Sequence, residues 1–304
     1  MSGMSQLIVA PILLPLITAA VMLLLGEKHR LIKARLNLLS TFAGLGIAVS
    51  LLLWVRTQGQ AESIGVYLPG NWPAPFGIVL VLDHLSALML TLTGIIGLSA
   101  LLFARARWDG AGASFHALFQ IQLMGLYGAF LTADLFNLFV FFEVLLAASY
   151  GLLLHGSGRA RVRAGLHYIA VNLFASSLFL IGAAMLYGVT GTLSLADLAL
   201  KIPLVPEADR GLLHAGAAIL AMAFLVKAGI WPLNFWLVPA YASASAPVAA
   251  LFAIMTKVGL YAVLRVWTLL FSGQAGASAH FGGDWLVYGG LATLAMAAVS
   301  ILAA

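Results

Sequence analysis

Apolar runs of about 20 residues, the length that carries a helix across a bilayer, alternate along this chain with short polar stretches. Nine stand out, at residues 6–25, 36–55, 78–102, 114–131, 135–154, 166–188, 212–230, 247–270 and 285–304. They predict an all-α, polytopic transmembrane helix bundle of nine spans. The first run reads as a span and not as a cleaved signal peptide, because its leader MSGMSQ carries no Lys or Arg and no polar cleavage region follows. Two polar stretches are longer: 57–77, with Pro69, Pro73 and Pro75, and 189–211, with Asp197, Glu207 and Asp209. Both read as surface loops, the first with room for a short hairpin. The last run reaches Ala304 with no polar flank. Spans end in interfacial anchors, so the chain reads as the front part of a longer protein.

Composition removes the soluble alternatives. The 304 residues are 63% hydrophobic and 8% charged, with a mean hydropathy of +1.07. A soluble domain carries roughly 25% charged residues; this chain cannot cover a water-facing surface, nor does it suit a nucleic-acid partner. With no cysteine, disulfides, thiolate-held clusters and thiol catalysis are excluded. The basic residues fix an orientation. Lys28, Arg30, Lys33 and Arg35 follow span one, Arg105 and Arg107 follow span three, and Arg159, Arg161 and Arg163 follow span five. The opposite side holds only Arg56, Lys201, Arg210 and Arg265. The positive-inside rule then places the three basic loops in the cytoplasm and the N-terminus outside.

Three ionisable residues remain inside spans: Glu143 in FNLFVFFEVLLAASY, Lys227 in AMAFLVKAGIWP and Lys257 in ALFAIMTKVGLYAV. Each costs roughly 2.5–3.5 kcal/mol at a helix centre, and residues kept at that cost usually line an ion path. Desolvation disfavours the charged form of carboxylate and ammonium alike, which lets such groups gain and lose protons near neutral pH as coupled sites. A plain structural pair of Glu143 with one Lys is the bland alternative; it leaves the other Lys unexplained. Snorkelling of a Lys to an interface fits neither, since both sit about ten residues into their runs. Span seven adds a break. Gly229 and Pro232 follow Lys227, and proline removes a helix bond and clashes with the preceding turn. Broken helices at membrane depth line cavities or lie within protein. Weaker candidates are Asp134, which suits an N-cap of span five, Asp83 and His84 at the start of span three, His167 near the cytoplasmic end of span six, and His214 at the start of span seven, histidine being able to shuttle protons. No pair of mid-span histidines is available for haem, and P-loop, dinucleotide-binding and HExxH motifs are absent. No cofactor or metal is expected.

The stretches ADLFNLFVFFEVLLAASYGLLLHG, HYIAVNLFASSLFLIGAAMLYGVTGTLSLADLA and FLVKAGIWPLNFWLVPAYASASAPVAALFAIMTKVGLYAVLRV resemble the antiporter-like membrane subunits shared by respiratory complex I and the multisubunit Mrp/Pha cation/proton antiporters. The wording LFVFFEVLLAASYGLLLHG is closest to the D-type subunit of the Mrp/Pha antiporters. The resemblance covers about residues 75–270 and rests on order: a span-five Glu, a span-seven Lys before a W-P break, and a span-eight Lys. It implies a fold of about 14 helices containing two five-helix inverted repeats. Residues 1–112 would then hold helices 1–3, residues 113–271 the first repeat (helices 4–8) and residues 272–304 the start of the second. It also implies that Glu143, Lys227 and Lys257 form a proton relay, with His167 and Asp134 as lesser members. Two departures stand out: Leu233-Asn234-Phe235-Trp236 where many members have Leu-His-x-Trp, and His167 where a Lys often precedes the Tyr. The implied protein is a proton-translocating subunit of a Na⁺ or K⁺/H⁺ antiporter, with other membrane subunits as partners, in a bacterial inner membrane. The alternative is a proton-pumping membrane subunit of NADH:quinone oxidoreductase, without a redox centre of its own.

Overall fold

The computed structural model describes residues 3–58 and 63–302. Residues 1–2 of the leader, 59–62 of the first long loop, and 303 and 304 at the end of the ninth run lie outside the described residues. The helices are α1 (Gly3–Leu7), α2 (Ala10–Leu24), α3 (Arg30–Thr57), α4 (His84–Arg107), α5 (Phe115–Leu131), α6 (Leu135–Leu154), α7 (Arg159–Thr190), α8 (Leu195–Lys201), α9 (Glu207–Ala228), α10 (Leu237–Ser243), α11 (Ala246–Leu270) and α12 (Gly283–Leu302). Each of the nine apolar runs holds a helix; in span seven α9 ends at Ala228, and α10 resumes beyond the run. Among the described residues, seven helical segments are long and apolar enough to cross a membrane, and α2 and α5 are shorter apolar helices. Large side chains such as Leu24, Phe42, Phe103, Leu166 and Leu212 stay exposed, which a bilayer favours and water does not.

The ends of several runs move. Helix α3 begins at Arg30, so Lys33 and Arg35 are helical and not in a loop, and α7 likewise takes in Arg159, Arg161 and Arg163. Long basic side chains reach the headgroup level from inside a helix, so apolar length underestimates helical length. Span three starts at His84 instead of 78. Asp83 caps it: Ser86 N–H donates to Asp83 Oδ1 at 2.9 Å, and Asp83 N–H to Ser86 Oγ at 2.8 Å, a reciprocal cap. The preceding residues form a hairpin, β1 (Gly65–Tyr67) antiparallel to β2 (Leu80–Leu82), with Gly65 opposite Leu82, Val66 opposite Val81 and Tyr67 opposite Leu80. In the second long loop α8 forms, with Lys201 Nζ 3.0 Å from Asp197 Oδ2 one turn back. That ammonium holds the Asp197 carboxyl below the usual carboxylate range.

The chain forms two compact units: residues up to 166 with 241–255, and 167–240 with 256 onward. In the first, α5 is the core helix. All of it except Leu118 and Ile121 is buried, against α2, α3, α4 and α6. Glycines set the α5–α6 contact: a Cβ at Gly125 would stand 2.6 Å from Leu145 Cβ, and one at Gly128 would run into the Phe141 ring. In the second unit α7 and α9 approach as closely, with a Cβ at Gly182 meeting Gly216 O and Leu220 N at 2.8 Å.

Candidate functional site

Helix α9 stops where Gly229 and Pro232 predict. Gly229 is left-handed (φ 67°, ψ 40°), a conformation that suits glycine. Its N–H donates to Val226 O at 3.1 Å and Ile230 N–H to Leu225 O at 3.2 Å. This Schellman arrangement returns the chain over the helix end. A cis Trp231–Pro232 bond follows, then a short 3₁₀ turn at Leu233–Trp236 and α10. Two side chains close the interruption. Trp236 Nε1–H donates to Val226 O at 3.0 Å, and Trp231 N–H donates to Thr293 Oγ1 of α12 at 3.1 Å. In lipid every backbone group needs such a partner. Trp236→Phe removes one of the two donors to Val226 O and, since Gly229 N–H remains, should lower stability by roughly 0.5–1.5 kcal/mol; a heat-denaturation series on the solubilised protein checks it.

Lys227 lies in the last turn before this break and is 4% exposed. Its Nζ donates to Ser176 Oγ of α7 at 2.9 Å. Ser176 belongs to the buried stripe Tyr168, Asn172, Ala175, Ser176, Phe179 and Ala183, so the hydroxyl faces the bundle at the level of the broken helix. Beside it, Tyr168 packs on Trp236 with ring centroids 5.3 Å apart. One arrangement thus joins a buried ammonium, a hydroxyl and a helix end capped by side chains.

Lys257 stands differently. A Cβ at Gly259 would meet Ala228 N at 2.7 Å, so that face of α11 meets α9 beside Lys227. Lys257 is two residues earlier, about 200° round the helix, and is exposed. The second unit therefore does not gather Lys257 with Lys227. Glu143 belongs to the first unit, ninth of the twenty residues of α6 and half-buried.

The lesser candidates separate. Asp134 caps α6, with Asn137 N–H donating to Oδ1 at 2.8 Å; Asp83 caps α4, and His84 is exposed. His167 is exposed on α7, its ring 5.8 Å from that of Phe235. His214 bonds Ser278 Oγ through Nε2 at 3.0 Å and stacks on Phe281. It is thirteen residues before Lys227 on α9, about 20 Å along the axis, too far for direct transfer. Sequence reasoning missed Ser176, Thr293 and the capping role of Trp236. The four-residue spacing of Asn172 and Ser176 in an apolar span was the available signal for the first; Thr293 left none.

The family model described as "NADH:quinone oxidoreductase/Mrp antiporter, TM" matches residues 132–303. The chain is 55% identical over 301 residues to the D-type subunit of a probable K⁺/H⁺ antiporter of Rhizobium meliloti (strain 1021), covering 99% of this chain and 56% of that protein. It is 41% identical over 272 residues to the D-type subunit of the Na⁺/H⁺ antiporter of Bacillus subtilis (strain 168), covering 88% of this chain and 54% of that one. The fold matches a chain in the structure of the Mrp complex from Dietzia sp. DQ12-45-1b with TM-score 0.79 and 34% identity, over 89% of this chain and 50% of that chain. The chain thus spans about half the length of the relatives it matches.

Proposed function

The chain belongs to the NADH:quinone oxidoreductase/Mrp antiporter transmembrane family, and on that premise we propose that it is a proton-translocating subunit of a multisubunit cation/proton antiporter. The buried Lys227 at the break of span seven carries this reading. A cation kept out of water at membrane depth, on an interrupted helix, is the kind of group that ion-coupled transporters use. Glu143 in α6 is the carboxylate of the relay, Lys227 the central ammonium, and Lys257 the next site, with His167 and Asp134 towards the ends. Residues 113–271 act as the first repeat, after helices 1–3 in 1–112, and 272–304 begin the second. The protein sits in a bacterial inner membrane, N-terminus outside, among other membrane subunits.

Sites of this kind need not touch to be coupled. At an effective dielectric near 20, two unit charges about 7 Å apart interact by roughly 2.4 kcal/mol. That is close to two pKa units, enough to switch a neighbour between charged and neutral. The relatives named as K⁺/H⁺ and Na⁺/H⁺ antiporter subunits favour exchange over the second reading, a subunit of NADH:quinone oxidoreductase, which the family description also covers. Vesicles containing the assembled complex and a pH dye separate the two. Adding K⁺ or Na⁺ alone should move protons, and the more effective cation is the partner ion. Proton movement only with NADH and quinone would replace this reading by the second.

A further inference from the structure

The first unit holds a buried polar cluster that the relay does not use. His116, the second residue of α5, is 3% exposed. Its Nδ1 lies 3.0 Å from Asn37 Nδ2 of α3. An amide nitrogen only donates, so Nδ1 accepts and the neutral ring carries its proton on Nε2. Nε2 stands 3.4 Å from Oδ2 of Asp109, a long contact to a side chain that is 20% exposed. Beyond Asn37 the bonds continue inward. Asn37 Oδ1 accepts from Gln120 Nε2 at 2.7 Å and from the Thr41 hydroxyl at 3.2 Å. Gln120 Oε1 accepts from Ser40 at 3.1 Å, and Thr18 of α2 is 3.0 Å from Ser40 Oγ. The charges acting on the ring are the Asp109 carboxylate and the guanidinium groups of Arg30 and Arg105. Lys33 is buried one turn before Asn37 on α3, and His155 lies behind the Phe115 ring; α2 brings no charge.

We propose that His116, Asp109 and Asn37 form a proton-binding site, filled from the side of the basic loops, whose occupancy sets the direction of the hydrogen-bond chain through Gln120. With the ring neutral, each amide donates towards it. A proton taken up by the ring turns Nδ1 into a donor facing the Asn37 Nδ2 donor. The Asn37 amide must turn to present Oδ1. Its Nδ2 then faces Gln120, whose amide turns in the same sense, gives up its bonds to Asn37 O at 3.2 Å and Thr41 Oγ1 at 3.0 Å, and leaves Ser40 to accept. On the charged ring the existing Nε2–H contact to the Asp109 carboxylate becomes an ion pair, which favours the protonated form. The same α5 packs on α6 through Gly125 and Gly128, so the site shares a tightly packed helix pair with Glu143.

The test is nuclear magnetic resonance on the assembled complex in lipid, with histidine, asparagine and glutamine labelled in this chain only. The signal missing from His116→Gln should be the Nε2–H tautomer at about pH 8 and doubly protonated at about pH 5. The Asn37 and Gln120 side-chain amide signals should move with the same midpoint, and Asn37→Leu should abolish the tautomer preference and the response of Gln120. The amide titration needs only the unsubstituted protein, so failure of His116→Gln to assemble leaves the test decisive. A ring that stays neutral over that range, or one that titrates while both amides stand still, overturns the proposal. The site does not rest on the relay: Glu143→Gln should show the same titration.

Discussion

Lys227→Arg should lose as much cation/proton exchange as Lys227→Met, roughly a hundredfold or more, the scale of a positioned proton-transfer group. Arginine keeps the positive charge and can still donate to Ser176 Oγ, now 2.9 Å from Nζ. A guanidinium does not release its proton in proteins. If the ammonium served only to balance charge or to tie α9 to α7, Arg would retain most of the function and Met would not. Met is unbranched like Lys, one atom shorter, and removes the cost of holding a charge 4% exposed, so loss of transport in it is not loss of packing. Initial rates of dye response in vesicles, normalised to assembled complex, check both variants. A wild-type rate in Lys227→Arg would return Lys227 to a structural role.

The second large effect is on the break. Gly229→Ala places a Cβ on a residue at φ 67° and 2.6 Å from Leu237 Cδ1. The left-handed conformation costs an L-residue about 1–2 kcal/mol, and turning the half-buried Leu237 methyl aside adds to it. A total of roughly 1–3 kcal/mol should appear as a lower heat-denaturation temperature and less assembled complex. Gly229→Ala with Leu237→Ala removes the clash and leaves the backbone strain, so it should recover part of the loss. Full stability in Gly229→Ala alone would mean that α9 does not end in this geometry.

Much of this was legible in the sequence because the bilayer constrains it. The nine spans follow from apolar length, and the interruption after Lys227 from Gly229 and Pro232. The starts of α3 and α7 were not legible, because Lys33 and Arg161 are compatible with either a loop or a helix whose basic stems reach outward. Lys257 shows a different gap: its span is visible, but the face that meets α9 is set by Gly259 against Ala228, and a run apolar on all sides does not disclose that. Ser176 reads like any span hydroxyl; Thr18, by comparison, donates to its own helix at Leu14 O. Asn37 and Gln120 are 83 residues apart, so only tertiary structure joins them.

The relay is tested most directly at Glu143, on the half-buried middle of α6. Glutamine keeps the size of the side chain and removes its charge and its ability to take up and release a proton. Complexes carrying Glu143→Gln, shown to assemble as the wild type does, are placed in vesicles with a pH dye and challenged with K⁺ or Na⁺. The relay predicts that proton movement nearly vanishes with either cation; exchange at the wild-type rate would contradict it.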